Sequence, residues 1–149
     1  WIRDPNYMLV ILATVITCLV LVRKPHKLPP RSLSIADALG LALFTVIGAE
    51  KALLLELSGM VAVVMGLITG VGGGIIRDLL CRQIPMVLRT EIYATASIVG
   101  GICYTLSIFV GMDSMTSMLI AMFSTLIIRL SAIRWHLSLP AFDLKTKRI

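Results

Sequence analysis

Charge is scarce in this chain: 15% of its 149 residues are Asp, Glu, Lys or Arg, and only 8 of them are acidic. A soluble helical bundle needs a polar stripe along each helix. The long apolar stretches here carry none. Cysteine and histidine are almost as rare. Cys18, Cys81 and Cys103 are odd in number, lie within or at the edge of apolar stretches, and show no CxxC or Cys/His ligand spacing, which excludes a disulfide framework and a zinc site and leaves ordinary packing. His26 and His136 fall in loops with no partner in view. No nucleophile stands beside a base and polar groups are too sparse for an active site, so neither an enzyme nor a bound cofactor is expected. Trp1–Pro5 lacks a basic n-region and no small-residue cleavage site follows the first apolar stretch, so no signal peptide and no separate soluble domain are expected. The net charge of +6 does not point to nucleic acid, because the basic residues are dispersed among apolar stretches without a sustained stripe. They can hold anionic membrane lipids through their headgroups without specificity.

What the chain does have is apolar length. Hydrophobic residues make up 58% of it and the mean hydropathy is +0.95, beyond the range of a soluble domain. Roughly 20 helical residues at about 1.5 Å rise cover a hydrocarbon core of about 30 Å. The expected fold is therefore an all-α integral membrane bundle of five transmembrane helices. They are placed near Pro5–Val22, Ile35–Leu57, Met60–Leu80, Glu91–Val110 and Met115–Ile133. Asp4 before Pro5 reads as an N-cap with proline in the first turn, and Ser34 with Asp37 as a capping box opening the second span.

Orientation follows from the basic residues, which accumulate on the cytoplasmic side of short loops. Arg23, Lys24, Lys27 and Arg31 lie between spans one and two. Arg77, Arg82 and Arg89 lie between three and four, and Arg129, Arg134, Lys145, Lys147 and Arg148 at or beyond the fifth. Only Arg3 and Lys51 fall on the other side. The amino end is thus expected outside and the carboxyl end in the cytoplasm of a multi-pass inner-membrane protein.

Placing Arg3 on Arg89 also places Tyr7 on Tyr93, each pair at the mouth of an apolar span of opposite orientation. Such a match is what an inverted-topology repeat leaves behind. The strongest local signal is the run from Gly66 to Asp78. It is neither a phosphate loop nor a dinucleotide fingerprint, since no Gly-Lys-Ser/Thr follows and Ile75 stands where a glycine would be needed. Gly70, Gly72, Gly73 and Gly74 each cost a helix about 1 kcal/mol relative to alanine, so the helix is expected to kink or unwind there and to line a cavity. The other reading is close packing along a Gly66, Gly70, Gly74 ladder.

Asp37 to Phe44, Gly48 to Leu53, Gly66 to Asp78, and Ile84-Pro85 through Arg89, Glu91, Ile92, Tyr93 and Ala94 resemble the second repeat of the bacterial glycine-transporter-domain family, related in fold to the trimeric intracellular cation (TRIC) channels. The resemblance covers nearly the whole chain. It implies two inverted three-helix repeats plus a seventh helix, assembly as a homotrimer, and a pore or solute path in each protomer. It further implies that this chain starts at the third family helix, without the first two helices and the first glycine motif. Residues 1–22 are then the last helix of the first repeat, 23–34 a basic cytoplasmic loop, 35–110 the second repeat with its glycine-broken helix, 111–139 the final helix and 140–149 a cytoplasmic tail.

Intramembrane ionisable groups cost about 2.5–3.5 kcal/mol at a helix centre on insertion scales, so each invites a functional reading. Glu50 and Lys51 point about 100° apart on a helix. Lys51 either snorkels to the headgroups or faces the path and sets its electrostatic barrier; the Lys-Glu pair of TRIC channels supports the second by analogy. Arg77 and Asp78 form either an interfacial anchor or a gate-side cluster, with Asp78 in reach of Arg82 one turn on. Asp37 is read as the capping-box residue or a gate residue, and Arg129 as a snorkelling anchor. Eight methionines read as core filler. Three functions stay open: a channel for K+ or Na+ ions, a transporter for glycine or another small zwitterion, and a structural membrane fragment.

Overall fold

The computed structural model describes residues 6–21, 30–89 and 92–135. They form α1 (Asn6–Leu21), α2 (Pro30–Leu54), α3 (Gly59–Leu80), α4 (Met86–Arg89), α5 (Ile92–Phe109) and α6 (Ser114–Trp135). The chain divides into two compact units, Trp1–Leu33 and Ser34–Ile149.

In the first unit, α1 is apolar along its 16 residues. Thr14 and Thr17 donate their hydroxyl hydrogens to the carbonyls of Val10 and Ala13 at 2.7 Å, so neither leaves a polar group facing lipid. The sixteen described residues of α1 span about 24 Å. Among the described residues four helices are long and apolar enough to cross: Leu33–Leu54 within α2, then α3, α5 and α6. The expected Asp4–Pro5 cap, the basic loop at 23–29 and the tail at 140–149 lie outside the described residues.

In the second unit short connections turn α2 back into α3 and α5 back into α6. Glu56 (φ 57°) and Gly111 (φ 88°) take the left-handed conformation that such tight reversals need. Asp113 caps α6: its carboxylate accepts the Thr116 amide at 3.0 Å and the Thr116 hydroxyl. The interior is rich in small side chains, packed around the buried Tyr93, Tyr104, Leu41 and Val46. Ala38, Ala42, Ala49, Ala62, Ala96 and Ala121 are fully buried, whereas Met60 and Phe109 are 81% and 90% exposed. Many small residues at the helix contacts is the arrangement of helices that associate in lipid, where close backbone approach contributes to holding them together. The buried polar pair is also interhelical: the Thr45 and Ser97 hydroxyls join α2 to α5 at 2.6 Å.

Two expectations are corrected here. First, α3 is helical without interruption from Gly59 to Leu80, glycines included. Packing compensates the propensity penalty: a Cβ on Gly66 would stand 2.6 Å from the Thr45 carbonyl oxygen, and one on Gly70 2.5 Å from Thr45 Oγ1. These glycines let α2 lie directly on α3 while the ladder of α3 stays closed, as an apolar surrounding demands. Second, α2 begins at Pro30, so Ser34 and Asp37 lie inside the helix and form no capping box. Proline fits the first turn because its missing N–H would be unsatisfied there in any case. The connection after α3 contains the short α4.

Candidate functional site

Four charged side chains of the second unit, with a tyrosine and a methionine, gather at one end. Asp37 comes from the first turns of α2, Arg77 and Asp78 from the last turn of α3, Met86 from the start of α4, Tyr93 from the start of α5 and Arg129 from the last turns of α6. Alternating helix directions bring these six positions to the same level. Arg77 is the hub. Its Nη1 donates to Asp37 Oδ1 at 2.5 Å, and its Nε and Nη2 donate to Asp78 Oδ1 at 3.0 and 2.9 Å. The other oxygen of Asp78 accepts the Met86 amide at 2.8 Å. One arginine thus ties α2, α3 and α4 together through two nearly buried carboxylates. Removing one partner of such a buried pair costs about 3–5 kcal/mol, because it strands the other charge.

Arg129 is the second cation, 4% exposed. Its guanidinium carbon lies 4.6 Å from the centroid of the Tyr93 ring and its Nη2 lies 3.6 Å from Met86 Sδ. Its Nε, and Oδ2 of Asp37, are buried without hydrogen-bond partners among the described residues. Gly74 completes the site: a Cβ there would stand 2.6 Å from the Tyr93 hydroxyl and 3.5 Å from Asp37 Oδ1. Glycine is what lets tyrosine and aspartate converge on α3. Two acids and two arginines sum to zero charge, so the cluster is a neutral polar plug in an apolar bundle. Among the described residues no group of His, Cys, Asp and Glu is placed to hold a metal ion.

Comparison with known proteins bears directly on this arrangement. The family model described as "Glycine transporter" matches residues 34–108. A UPF0126 membrane protein of Vibrio cholerae is 56% identical over 97% of the chain, and the UPF0126 inner membrane protein YadS of Escherichia coli K12 is 52% identical over 97%. The chain belongs to the UPF0126 membrane-protein family. It spans 60% of the Vibrio relative's length and 70% of the Escherichia coli one's.

The UPF0126 chain also shares the fold of the TRIC channels. The TRIC trimeric intracellular cation channel orthologue from Rhodobacter sphaeroides superposes with a TM-score of 0.83 and 32% identity, covering 92% of this chain and 70% of that one. A prokaryotic TRIC channel crystallised in 0.5 M KCl gives 0.79 and 30%, covering 93% and 70%. Family and fold are those of channels or transporters, not of enzymes.

Of the site residues expected from the UPF0126 sequence, the structure brings Asp37, Gly74, Arg77 and Asp78 together. Gly70 lies one turn deeper, against Thr45 and Leu41 of α2. Gly72 and Gly73 have nothing among the described residues within 4 Å of where a Cβ would be. Glu50, half-buried, and Lys51, exposed, stand near the other end of α2, about 20 Å along the axis from Asp37. Arg82 is not the helical partner expected for Asp78: it lies beyond the end of α3 with φ 55°, where the i, i+4 relation no longer holds, while Asp78 engages Arg77 and Met86. Arg129 is not a snorkelling anchor but a buried residue of the site. A signal for this exists in the sequence. Ser117, Ala121, Thr125 and Arg129 recur every fourth residue, so the arginine prolongs the small, polar stripe by which α6 faces the bundle.

Proposed function

We propose that this UPF0126 protein is a TRIC-like channel that passes monovalent cations, K+ or Na+, through a path in each protomer of a homotrimer in the inner membrane. The observation that carries this reading is the neutral charge cluster of Asp37, Arg77, Asp78 and Arg129 at one end of four spanning helices. Fixed paired charges inside lipid are costly and are found where ions or solutes pass. The fold supports it, since the Rhodobacter sphaeroides neighbour is a cation channel by name and its likeness extends over 92% of the chain. In this reading the cluster is the cytoplasmic gate, with Asp37 and Asp78 attracting cations when Arg77 releases them. Gly72 and Gly73, bare of neighbours, line the path above it, and Gly70 and Gly74 hold the helix against α2 and Tyr93. Glu50 and Lys51 set the field at the outer mouth.

We assign the amino end to the outside and the carboxyl end to the cytoplasm, from the basic residues. α1 serves as a fifth crossing and as the last helix of an inverted first repeat. The second reading is transport of glycine or another small zwitterion. The description of the matched family model favours it, and paired acids and arginines could hold ammonium and carboxylate groups.

Flux measurements on proteoliposomes separate the two. Leucine at Gly72 and Gly73 together should abolish K+ flux while trimer size and expression survive. Persisting K+ flux in that variant removes the glycines from the path. Saturable, ion-coupled glycine uptake without K+ flux replaces the channel by the transporter.

A further inference from the structure

The charges of the cluster are unevenly shared. Arg77 holds two carboxylates, although 27% of its side chain is exposed, while the more deeply buried Arg129 holds none among the described residues. Arg129 makes do with the face of an aromatic ring and a thioether sulfur, a weak acceptor. A buried guanidinium without a strong acceptor is an expensive arrangement. An acceptor is near. Asp37 Oδ2 is itself buried and unpartnered among the described residues, and Asp37 and Arg129 lie within electrostatic range of each other. Tyr93 adjoins both, its ring under Arg129 and its hydroxyl beside Asp37 at Gly74.

We propose that Arg129 is the second partner of Asp37, and that the Asp37 carboxylate exchanges between Arg77 on α3 and Arg129 on α6. After the exchange each arginine has one carboxylate: Arg77 keeps Asp78, already held by two hydrogen bonds, and Arg129 gains Asp37. Asp78 is the wrong acid for this role, because the Met86 amide fixes its Oδ2. The exchange is a two-state element of the kind a gate requires. In one state α2 is tied to α3 and in the other to α6; the first leaves Arg129 without a carboxylate and doubles the negative charge on Arg77, and the second gives each arginine one carboxylate. Arg129 is thus a positioning residue for permeation. Its consequence for current rests on the channel reading, whereas the exchange itself does not.

The test reads the Nε–H groups of Arg77 and Arg129 by nitrogen-15 NMR of the full chain in lipid nanodiscs, the Arg129 signal being assigned by its loss in Arg129→Lys. In Arg77→Gln, Arg129 is the remaining arginine of the cluster for Asp37 to pair with. The Arg129 Nε–H should then move to the position of a carboxylate-bound arginine and exchange with water at least tenfold more slowly. Adding Asp37→Asn should return it to the wild-type position. Because Arg77→Gln could compromise assembly, Asp37→Glu provides a second approach: one methylene longer, it should populate the Arg129 pair with Arg77 intact. An Arg129 signal unmoved in both Arg77→Gln and Asp37→Glu overturns the proposal. A silent bilayer with a moving Arg129 signal refutes the channel and leaves the exchange standing.

Discussion

Alanine substitutions one helical turn apart on α3 should have opposite effects. At Gly73 an added Cβ meets nothing within 4 Å, so Gly73→Ala should gain the helix propensity of alanine, about 1 kcal/mol. At Gly70 the same Cβ would stand 2.5 Å from Thr45 Oγ1 and 3.2 Å from the Leu41 carbonyl oxygen. A backbone oxygen yields only if α2 moves, and overpacking of this kind costs about 1–3 kcal/mol. Rotating Thr45 aside would forfeit its 2.6 Å bond to Ser97, worth about 0.6 kcal/mol between membrane helices. After the same propensity gain, Gly70→Ala should lie between neutral and about 2 kcal/mol less stable than wild type. The two variants should therefore differ by about 1–3 kcal/mol. Unfolding in mixed detergent and dodecyl sulfate micelles, followed by the loss of tertiary contacts, measures the difference. Equal stabilities, or a Gly70→Ala protein more stable than Gly73→Ala, would refute the claim that the glycines exist to seat α2 on α3.

Ser97→Ala should destabilise the bundle by about 0.6 kcal/mol and by no more than about 1.7, in the same assay; a neutral result would mean that Thr45 finds another partner. The Asp113 carboxyl lies below the ordinary carboxylate range, chiefly because the Thr116 hydroxyl and then its amide bond the charged form. A depressed folded value stabilises above the unfolded value and is lost as pH falls through the folded one, so the contribution should disappear below about pH 4. Asp113→Asn keeps the cap acceptor and should flatten that acid limb of stability against pH. A cysteine near Lys147 should be closed to an impermeant reagent added outside intact cells, and native mass analysis in detergent should give a trimer. External labelling or a persistent monomer would overturn the orientation and the assembly respectively.

The membrane class, the four crossings within the second unit and the family could all be read from the sequence, because apolar length and the motif around Gly66–Asp78 are local properties. Three features could not, and each depends on a neighbour. The glycine run looks like a helix breaker to a propensity scale, yet Gly66 and Gly70 are buried under Thr45, and the contact offsets what the isolated helix would lose. Asp37 sits at a plausible cap position beside Ser34, and only the arrival of Arg77 from the next helix shows it to be an ion-pair residue. Arg129 near a helix end reads as an anchor by its depth, whereas its place on the Ser117–Ala121–Thr125 stripe fixes its direction inward. The four-residue spacing along α6, and not depth in the chain, tells which way Arg129 faces.

The account stands most directly on whether ions cross singly and as cations. Purified protein in a planar bilayer under a KCl gradient should show discrete unitary currents whose reversal potential lies near that of K+, with amplitude or open time altered by Asp37→Asn. A bilayer that stays silent, with glycine accumulating saturably in proteoliposomes of the same preparation, would contradict it.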